Sequence, residues 1–149
     1  MVLESRTRTG RRGEQITEAW LIDLGFEVLE RNWRWQHREI DLIARREDTV
    51  VFVEVKCRSG CGEFHDSSEW MPSLDQQRRI VRAAHMYQNR NGLRDVCARF
   101  DVILVRHASG RMRVQTHFQH AFDASSTHPC AQHASVNWSS AVSQRKPCR

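Results

Sequence analysis

Two features of secreted and membrane proteins are missing from this sequence. No stretch approaches the roughly 20 consecutive apolar residues that span a bilayer, and residues 1–8 contain no apolar run of signal-peptide length. The cysteines are odd in number and irregularly spaced, which does not favour a framework of disulfides. They are Cys57, Cys61, Cys97, Cys130 and Cys148. These absences predict a cytoplasmic protein without a membrane partner.

The chain carries more basic than acidic residues. Its 149 residues are enough for one domain with a core, and 23 Lys and Arg against 18 Asp and Glu give a formal net charge of +5. Such a surface attracts polyanions, and it becomes informative only when the basic residues lie beside a site. The charge therefore favours a nucleic-acid partner without identifying one.

Composition divides the chain into three parts. Residues 1–12 are rich in arginine and predict a mobile basic arm, either solvated or in contact with phosphates. Residues 13–123 contain the periodic apolar segments of a folded domain. Residues 124–149 have no acidic and few aliphatic residues, so they bury too little to offset their ordering entropy and predict a disordered tail. Its metal-ligand residue types fit no zinc-site spacing; they are His128, Cys130, His133 and Cys148.

Two segments have helical periodicity. From Gly13 to about Leu24, apolar residues recur every three or four positions. A second helix opens at Ser73, which with Gln76 matches a capping box. Three arginines cluster on the polar side of this second helix, where they predict either a solvated face or a strip for nucleic-acid phosphates. They are Arg78, Arg79 and Arg82.

Five segments predict strands, because β-branched and aromatic residues concentrate or alternate in them. The segments are residues 26–35, 39–45, 50–57, 99–106 and 112–118. The fourth is apolar on both faces, as in a central strand, and the fifth predicts a short edge strand. A long polar loop over residues 59–71 precedes the second helix, and loops of that length are often functional.

The stretch from Glu39 to Arg58 places charged residues inside strand-like runs. Side chains on a strand repeat with period two, so Glu39 and Asp41 share one face of the first run. Glu54, Lys56 and Arg58 share one face of the second run. Charges in so apolar a strand are costly unless they bind something, which predicts a site here.

Asp41 followed on the next strand by Glu54 and Lys56 suits metal-dependent hydrolysis of a phosphodiester. Two carboxylates supply the hard oxygen ligands that Mg²⁺ prefers, and a bound ion lowers the pKa of its water and neutralises transition-state charge. A lysine beside the ion would orient or deprotonate the attacking water, or stabilise the developing charge. The alternative is an ordinary Glu54–Lys56 ion pair on an exposed strand, which the apolar surroundings disfavour.

Asp41 with Glu54-Val55-Lys56 resembles the PD-(D/E)XK signature shared by restriction endonucleases and Holliday-junction resolvases. A longer ordered set, within roughly residues 10–123, resembles the YraN-like family of bacterial endonuclease-related proteins. The set consists of Gly13-Glu14, Ala19, Leu21, Gly25, Arg31-Asn32, Glu39-Ile40-Asp41-Leu42-Ile43, Phe52-Val53-Glu54-Val55-Lys56, Arg58 and Arg99-Phe100-Asp101-Val102. The Glu-x-Lys element alone is weak, whereas the ordered set is specific.

The resemblance implies a restriction-endonuclease-like α/β fold with an αβββαβ core, in which helices flank a mixed central sheet. It implies that Asp41 and Glu54 bind Mg²⁺ or Mn²⁺, with the Val55 carbonyl and Glu14 as further ligands, and that Lys56 is catalytic. The accessory candidates are Glu39, Arg58 and Gln76.

Two positions depart from the usual family pattern. Arg38 stands where the family usually has Gly, and Gln76 stands where it usually has Lys early in the second helix. The leading hypothesis is a metal-dependent endonuclease that acts on DNA, including branched or damaged DNA, and a resolvase activity would require a homodimer. Because Gln76 brings no charge, the alternative is a nucleic-acid-binding module of nuclease descent, followed by a protein-interaction adaptor in DNA repair or uptake.

Overall fold

The periodic segments of the sequence form two helices and five strands. The computed structural model describes residues 2–60 and 70–124. The elements are α1 (Val2–Asp23), β1 (Glu27–Trp35), β2 (Arg38–Arg46), β3 (Thr49–Ser59), α2 (Leu74–Arg90), β4 (Cys97–Ala108) and β5 (Arg111–Phe118). The strands make one sheet in the order β1-β2-β3-β4-β5. β3 and β4 are parallel, whereas the other neighbouring pairs are antiparallel.

This architecture confirms the predicted restriction-endonuclease-like α/β fold, with an αβββαβ core and a mixed sheet flanked by helices. The segment predicted as an edge strand is β5, which pairs only with β4 in the sheet order. Residues 100–105 of β4 are all buried, as predicted for a strand covered on both faces. The middle strand is β3, which carries two of the candidate site residues.

A separate apolar core lies on each face of the sheet. On one face α2 packs against β2, β3 and β4. The ring of Phe52 lies at the centre of that core, 5.6 Å from the ring of Phe100 and 6.0 Å from that of Tyr87. On the other face α1 covers the sheet through Leu21. Val51, Val53, Val55 and Cys57 of β3 all pack on the α1 side.

Helix α1 begins at Val2, so the predicted start near Gly13 is wrong. The arginine-rich residues 2–12 contain few apolar residues, so no helical periodicity marked them in the sequence. Gly13 permits close packing of the helix on the sheet, because a Cβ at this position would collide with the Sγ atom of Cys57 on β3. Residues 2–12, predicted as a mobile basic arm, are part of this helix.

Helix α2 begins with the predicted capping box. The Ser73 Oγ accepts a hydrogen bond from the Gln76 N–H at 3.3 Å, and the Gln76 Oε1 accepts one from the Ser73 N–H at 3.0 Å. Two N–H groups that the helix start would leave unpaired are thereby satisfied. The capping box fixes where α2 starts, and the buried stripe of Ile80, Ala83, Ala84 and Tyr87 sets the face that packs on the sheet.

A fully buried carboxylate joins β4 to β5. Arg99 donates two hydrogen bonds to Asp101, at 2.9 and 2.7 Å, and the His117 Nε2 lies 2.8 Å from the same carboxylate. The His120 N–H also donates to Asp101, at 3.2 Å. Burial alone would raise the pKa of Asp101, but the hydrogen bonds with His117 and Arg99 hold it below its usual value. The group stays charged and fully partnered, as a structural cross-link requires.

Two sequence predictions concern residues outside the described ranges. They are most of the polar loop, at residues 61–69, and the tail at 125–149 with its possible metal ligands. Within residues 2–60 and 70–124, no helix combines the length and the apolar character needed to cross a membrane.

Candidate functional site

The site lies where β2 and β3 stop pairing. Their register runs from Arg46↔Thr49 to Leu42↔Val53 and ends there. Asp41 and Glu54 are the next residues on each strand. The Asp41 Oδ2 accepts a hydrogen bond from the Val55 N–H at 2.7 Å, so a side chain takes over where the backbone ladder ends. This bond anchors the carboxylate at the gap between the strands.

Asp41 also interrupts the alternation of β2. Ile40 belongs to the α2-side core, whereas Leu42, two residues on, belongs to the α1-side core. A regular strand would place both on one face. Glu39 and Asp41, predicted to share a face, therefore reach in opposite directions. Asp41 bonds to β3, and Glu39 makes an ion pair with Arg34 of β1 at 3.1 Å.

The pKa of Asp41 is raised from its usual value near 3.8 to about 7. Burial is the main cause, followed by the negative charge of Glu54. The hydrogen bond from Val55 opposes the shift, Glu14 adds to it, and Lys56 opposes it. The carboxyl groups of three different elements thus act on one another at this position.

Glu54 and Lys56, which the sequence placed on one face of a strand, form an ion pair on β3. The Lys56 Nζ lies 2.7 Å from the Glu54 Oε1, and the two side chains are only 23% and 18% exposed. The pair is therefore not the exposed-strand ion pair that the sequence left as the alternative. A half-buried ammonium beside carboxylates is held in a defined position, unlike most lysines.

Helix α1 presents two glutamates, one turn apart, to two successive residues of β1. The Asn32 Nδ2 donates to the Glu14 Oε2 at 3.0 Å. Arg31 makes two hydrogen bonds to Glu18, one of them from Nε at 2.7 Å. That bidentate bond from Arg31 holds the pKa of Glu18 below its usual value. The paired contacts fix the rotation of α1 and hence the position of Glu14.

Asn32 is the site residue that sequence reasoning from physics did not single out. Its φ is +48°, a left-handed conformation that asparagine tolerates better than most residues. Asparagine is also disfavoured in strand interiors, so its presence inside the predicted first strand was the one sequence feature that could have drawn attention to it. The residue holds Glu14 beside the parted strands, so it acts by positioning.

The Cys57 thiol lies on the α1 side of the sheet and has a raised pKa. Burial, then the charges of Glu14 and Asp41, raise the pKa of its thiol to about 11. The thiol stays protonated at neutral pH, which makes it a poor nucleophile.

The accessory candidates occupy separate positions. Glu39 pairs with Arg34, as described above. The Arg58 guanidinium lies over the ring of buried Trp70, 5.2 Å from its centroid. The side-chain carbonyl oxygen of Gln76 accepts the capping-box hydrogen bond from the Ser73 N–H. Among the described residues, no hydrogen bond joins Gln76 to the acidic group, so its predicted role there has no support.

The three arginines predicted to contact nucleic acid line a cleft of about 350 Å³ together with Arg38 and Asp75. Their spacing along α2 puts them on one stripe of the helix, and all three are exposed. Arg38 comes from the start of β2, three residues before Asp41. The basic cleft and the acidic group therefore occupy the same end of the sheet.

The mixed sheet, its flanking helices and the acidic group at the parting of β2 and β3 define a restriction-endonuclease-like α/β protein. A family model described as uncharacterised protein family UPF0102 matches residues 13–105, which run from the middle of α1 into β4. The chain belongs to this family, the YraN-like group, and the resemblance drawn from the ordered motifs is confirmed.

Relatives bearing the name UPF0102 protein align along most of their length. The one from Anaeromyxobacter dehalogenans is 38% identical over 120 residues, covering 80% of this chain and 87% of its own. The one from Desulfosudis oleivorans is 39% identical over 123 residues, covering 83% and 96%. A relative from Treponema pallidum is 36% identical over 116 residues, covering 76% and 91%. These names state a family and no activity.

Proposed function

We propose that this protein is a metal-dependent endodeoxyribonuclease whose site consists of Asp41, Glu54 and Lys56. The observation that carries the proposal is the position of Asp41. Its carboxylate is fixed to the Val55 N–H at the gap between β2 and β3, close enough to Glu54 for each charge to act on the other. A fold that only needed stability would not keep two mutually repelling carboxyl groups half-buried together.

The donor set suits Mg²⁺ or Mn²⁺. Among residues 2–60 and 70–124, no three His, Cys, Asp or Glu side chains form a cluster that could hold a metal by themselves, as a structural zinc site would. Mg²⁺ requires fewer protein ligands, because it binds one or two carboxylates and keeps several waters. Asp41 and Glu54 would supply those carboxylates. A divalent cation would relieve the repulsion that raises the pKa of Asp41.

The carbonyl of Val55 is the third expected ligand. In an antiparallel pair, the N–H and C=O of one residue face the same neighbouring strand. Since the Val55 N–H faces Asp41, its carbonyl faces the same gap. Glu14, held by Asn32, adds negative charge to the site, and its direct ligation of a metal stays a prediction.

Lys56 would act on the phosphate and on the attacking water. When bound, the cation would activate that water and neutralise charge on the phosphate. The ammonium of Lys56, held by Glu54, can donate to a nonbridging phosphate oxygen or orient the water. The chain has 23 Lys and Arg, but only Lys56 and Lys146 are lysines. A compact ammonium at this position, in a chain that otherwise uses arginine, supports a specific chemical role.

A cleavage assay tests the proposal. Purified protein with Mg²⁺ or Mn²⁺ should nick supercoiled plasmid, and a panel of linear, flapped and four-way DNA would identify the preferred substrate. Asp41→Ala, Glu54→Ala and Lys56→Ala should each lower the rate by at least roughly 100-fold. Lys56→Arg should also be inactive, because a planar guanidinium cannot replace the ammonium.

The matched control is Asp48→Ala, which removes an exposed carboxylate from the β2–β3 turn. It should cleave at the wild-type rate. Nicking that survives all three alanine substitutions would remove this site from the mechanism.

A nucleic-acid-binding module without catalysis is the second candidate. The specific observation in its favour is Gln76, which caps α2 and brings no positive charge to the acidic group. Salt-dependent DNA binding without cleavage, across both metals and the whole substrate panel, would favour this candidate. Cytoplasmic localisation and a homodimer both stay predictions.

A further inference from the structure

Two adjoining cavities lie between the β1–β2 turn and α2. The first, of about 350 Å³, is lined by Arg38, Asp75, Arg78, Arg79 and Arg82. The second, of about 320 Å³, is lined by Gln36, His37, Arg38 and Arg79. Arg38 and Arg79 belong to both, so the polar surface is continuous from the turn to the helix. We call this surface the arginine cleft.

Positive charge predominates among the described residues of the arginine cleft. Of those that line it, four carry guanidinium groups and Asp75 alone carries a carboxylate. Asp75 makes an ion pair with Arg78 at 3.3 Å, but both side chains are more than 70% exposed, so this pair contributes little. Like charges one helical turn apart also repel one another. A bound anion would relieve that repulsion.

Arg38 is oriented before any ligand arrives. Its guanidinium carbon lies 5.1 Å from the centre of the Trp35 ring, and its Nη1 donates to the Gln36 Oε1 at 3.2 Å. The residue is half-buried, unlike the exposed arginines of α2. A guanidinium held in this way loses less conformational freedom on binding and presents a planar fork that matches two phosphate oxygens.

The cleft is near enough to the acidic group for one polynucleotide strand to contact both. Arg38 precedes Asp41 by three residues on β2, which corresponds to about 10 Å along a strand. Successive nucleotides of a duplex strand advance by about 3.4 Å along the helix axis. The separation is therefore within a few nucleotides of one strand.

We propose that the arginine cleft binds the nucleic-acid backbone, with Arg38 and Arg79 contacting phosphates a few nucleotides from the acidic group. This inference rests on the proposed function for the identity of the anion. It goes further by assigning a phosphate site to Arg38, a strand residue outside the helix stripe. Binding there fixes the register of the strand without reading its sequence.

The test is fluorescence anisotropy with labelled duplex DNA in EDTA, titrated at several NaCl concentrations from roughly 50 to 200 mM. Arg38→Gln and Arg79→Gln should each weaken binding by about 3- to 10-fold and lower the slope of log K against log salt by about one. Arg38→Lys should keep the slope and lose part of the affinity. Unchanged affinity and slope in both glutamine variants would overturn the proposal.

The matched control is Arg94→Gln, an exposed arginine beyond the other end of α2. It removes the same charge, and the slope of log K against log salt should equal that of the wild type within experimental error. If its effect equals that of Arg38→Gln, binding follows net charge alone and the cleft is refuted. Circular-dichroism melts of all variants should show an unchanged melting temperature, so that any loss of binding is separated from a loss of fold.

The two proposals fail separately. Wild-type protein that binds DNA through the cleft and never nicks it refutes hydrolysis and supports the cleft. Protein that nicks DNA, loses nicking in Asp41→Ala, and binds equally well without Arg38 or Arg79 refutes the cleft and supports hydrolysis.

Discussion

Replacing Asp41 by Asn should stabilise the protein at neutral pH while destroying its proposed activity. The carboxyl group has a pKa of about 7 in the folded state, against 3.8 as the usual value. Because the folded state holds this proton more tightly, the stability contributed by the group is fully present below pH 3.8 and is lost as the pH rises through 7. Asparagine removes the ionisation and can still accept from the Val55 N–H through Oδ1.

The size of the effect follows from the shift. At about 1.4 kcal/mol per pKa unit, the change from 3.8 to about 7 corresponds to an upper value of ~4 kcal/mol. Water penetration and relaxation of the ionised site reduce this, so we expect Asp41→Asn to gain about 1–3 kcal/mol at pH 8 relative to pH 4. Urea unfolding curves of both proteins at several pH values, in EDTA, measure the difference directly.

Asp48→Asn, an exposed change in the β2–β3 turn, is the control and should shift stability equally little at both pH values. If wild type and Asp41→Asn show the same dependence of stability on pH, the electrostatic account of the site is refuted. Adding Mg²⁺ at ten times its dissociation constant should restore about 1.4 kcal/mol to the wild type and nothing to Asp41→Asn.

Two further substitutions test the packing around the site. Gly13→Ala should destabilise the wild type by about 1–3 kcal/mol through collision with Cys57, yet stabilise a Cys57→Ala background by up to about 1 kcal/mol because alanine favours the helix. Thermal melts of this cycle that show no change of sign would contradict the close contact. Asp101→Asn should cost about 3–5 kcal/mol, because Arg99 and His117 would lose their buried carboxylate. A loss below about 1 kcal/mol in urea unfolding would show that the network is dispensable.

Local patterns were sufficient to predict most of the fold. The apolar runs of β3 and β4 and the capping box of α2 are short-range signals that tertiary contacts did not override. The start of α1 was missed because residues 2–12 are rich in arginine and poor in apolar residues, so no amphipathic period marked them as helical. The close contact between Gly13 and Cys57 joins residues that are far apart in sequence, which no local pattern shows.

The site was predictable in its residue types but less so in its geometry. Strict alternation placed Asp41 beside Glu39, whereas the break in pairing after Leu42 turns Asp41 toward β3. No local rule predicts such a break. The contact between Asn32 and Glu14 likewise depends on how α1 docks on the sheet.

The parallel pairing of β3 with β4 has a consequence for how the protein is made. Every residue of the proposed site lies between Glu14 and Lys56, but β3 receives its second neighbour only at Cys97. A parallel pair forms only after the connecting chain has crossed over, and closing so long a connection is slow. A growing chain on the ribosome would therefore contain the whole site before the sheet that holds it. The local β2–β3 hairpin can bring Asp41 to Val55 by itself, whereas the sheet around β3 is complete only when β4 has paired with it.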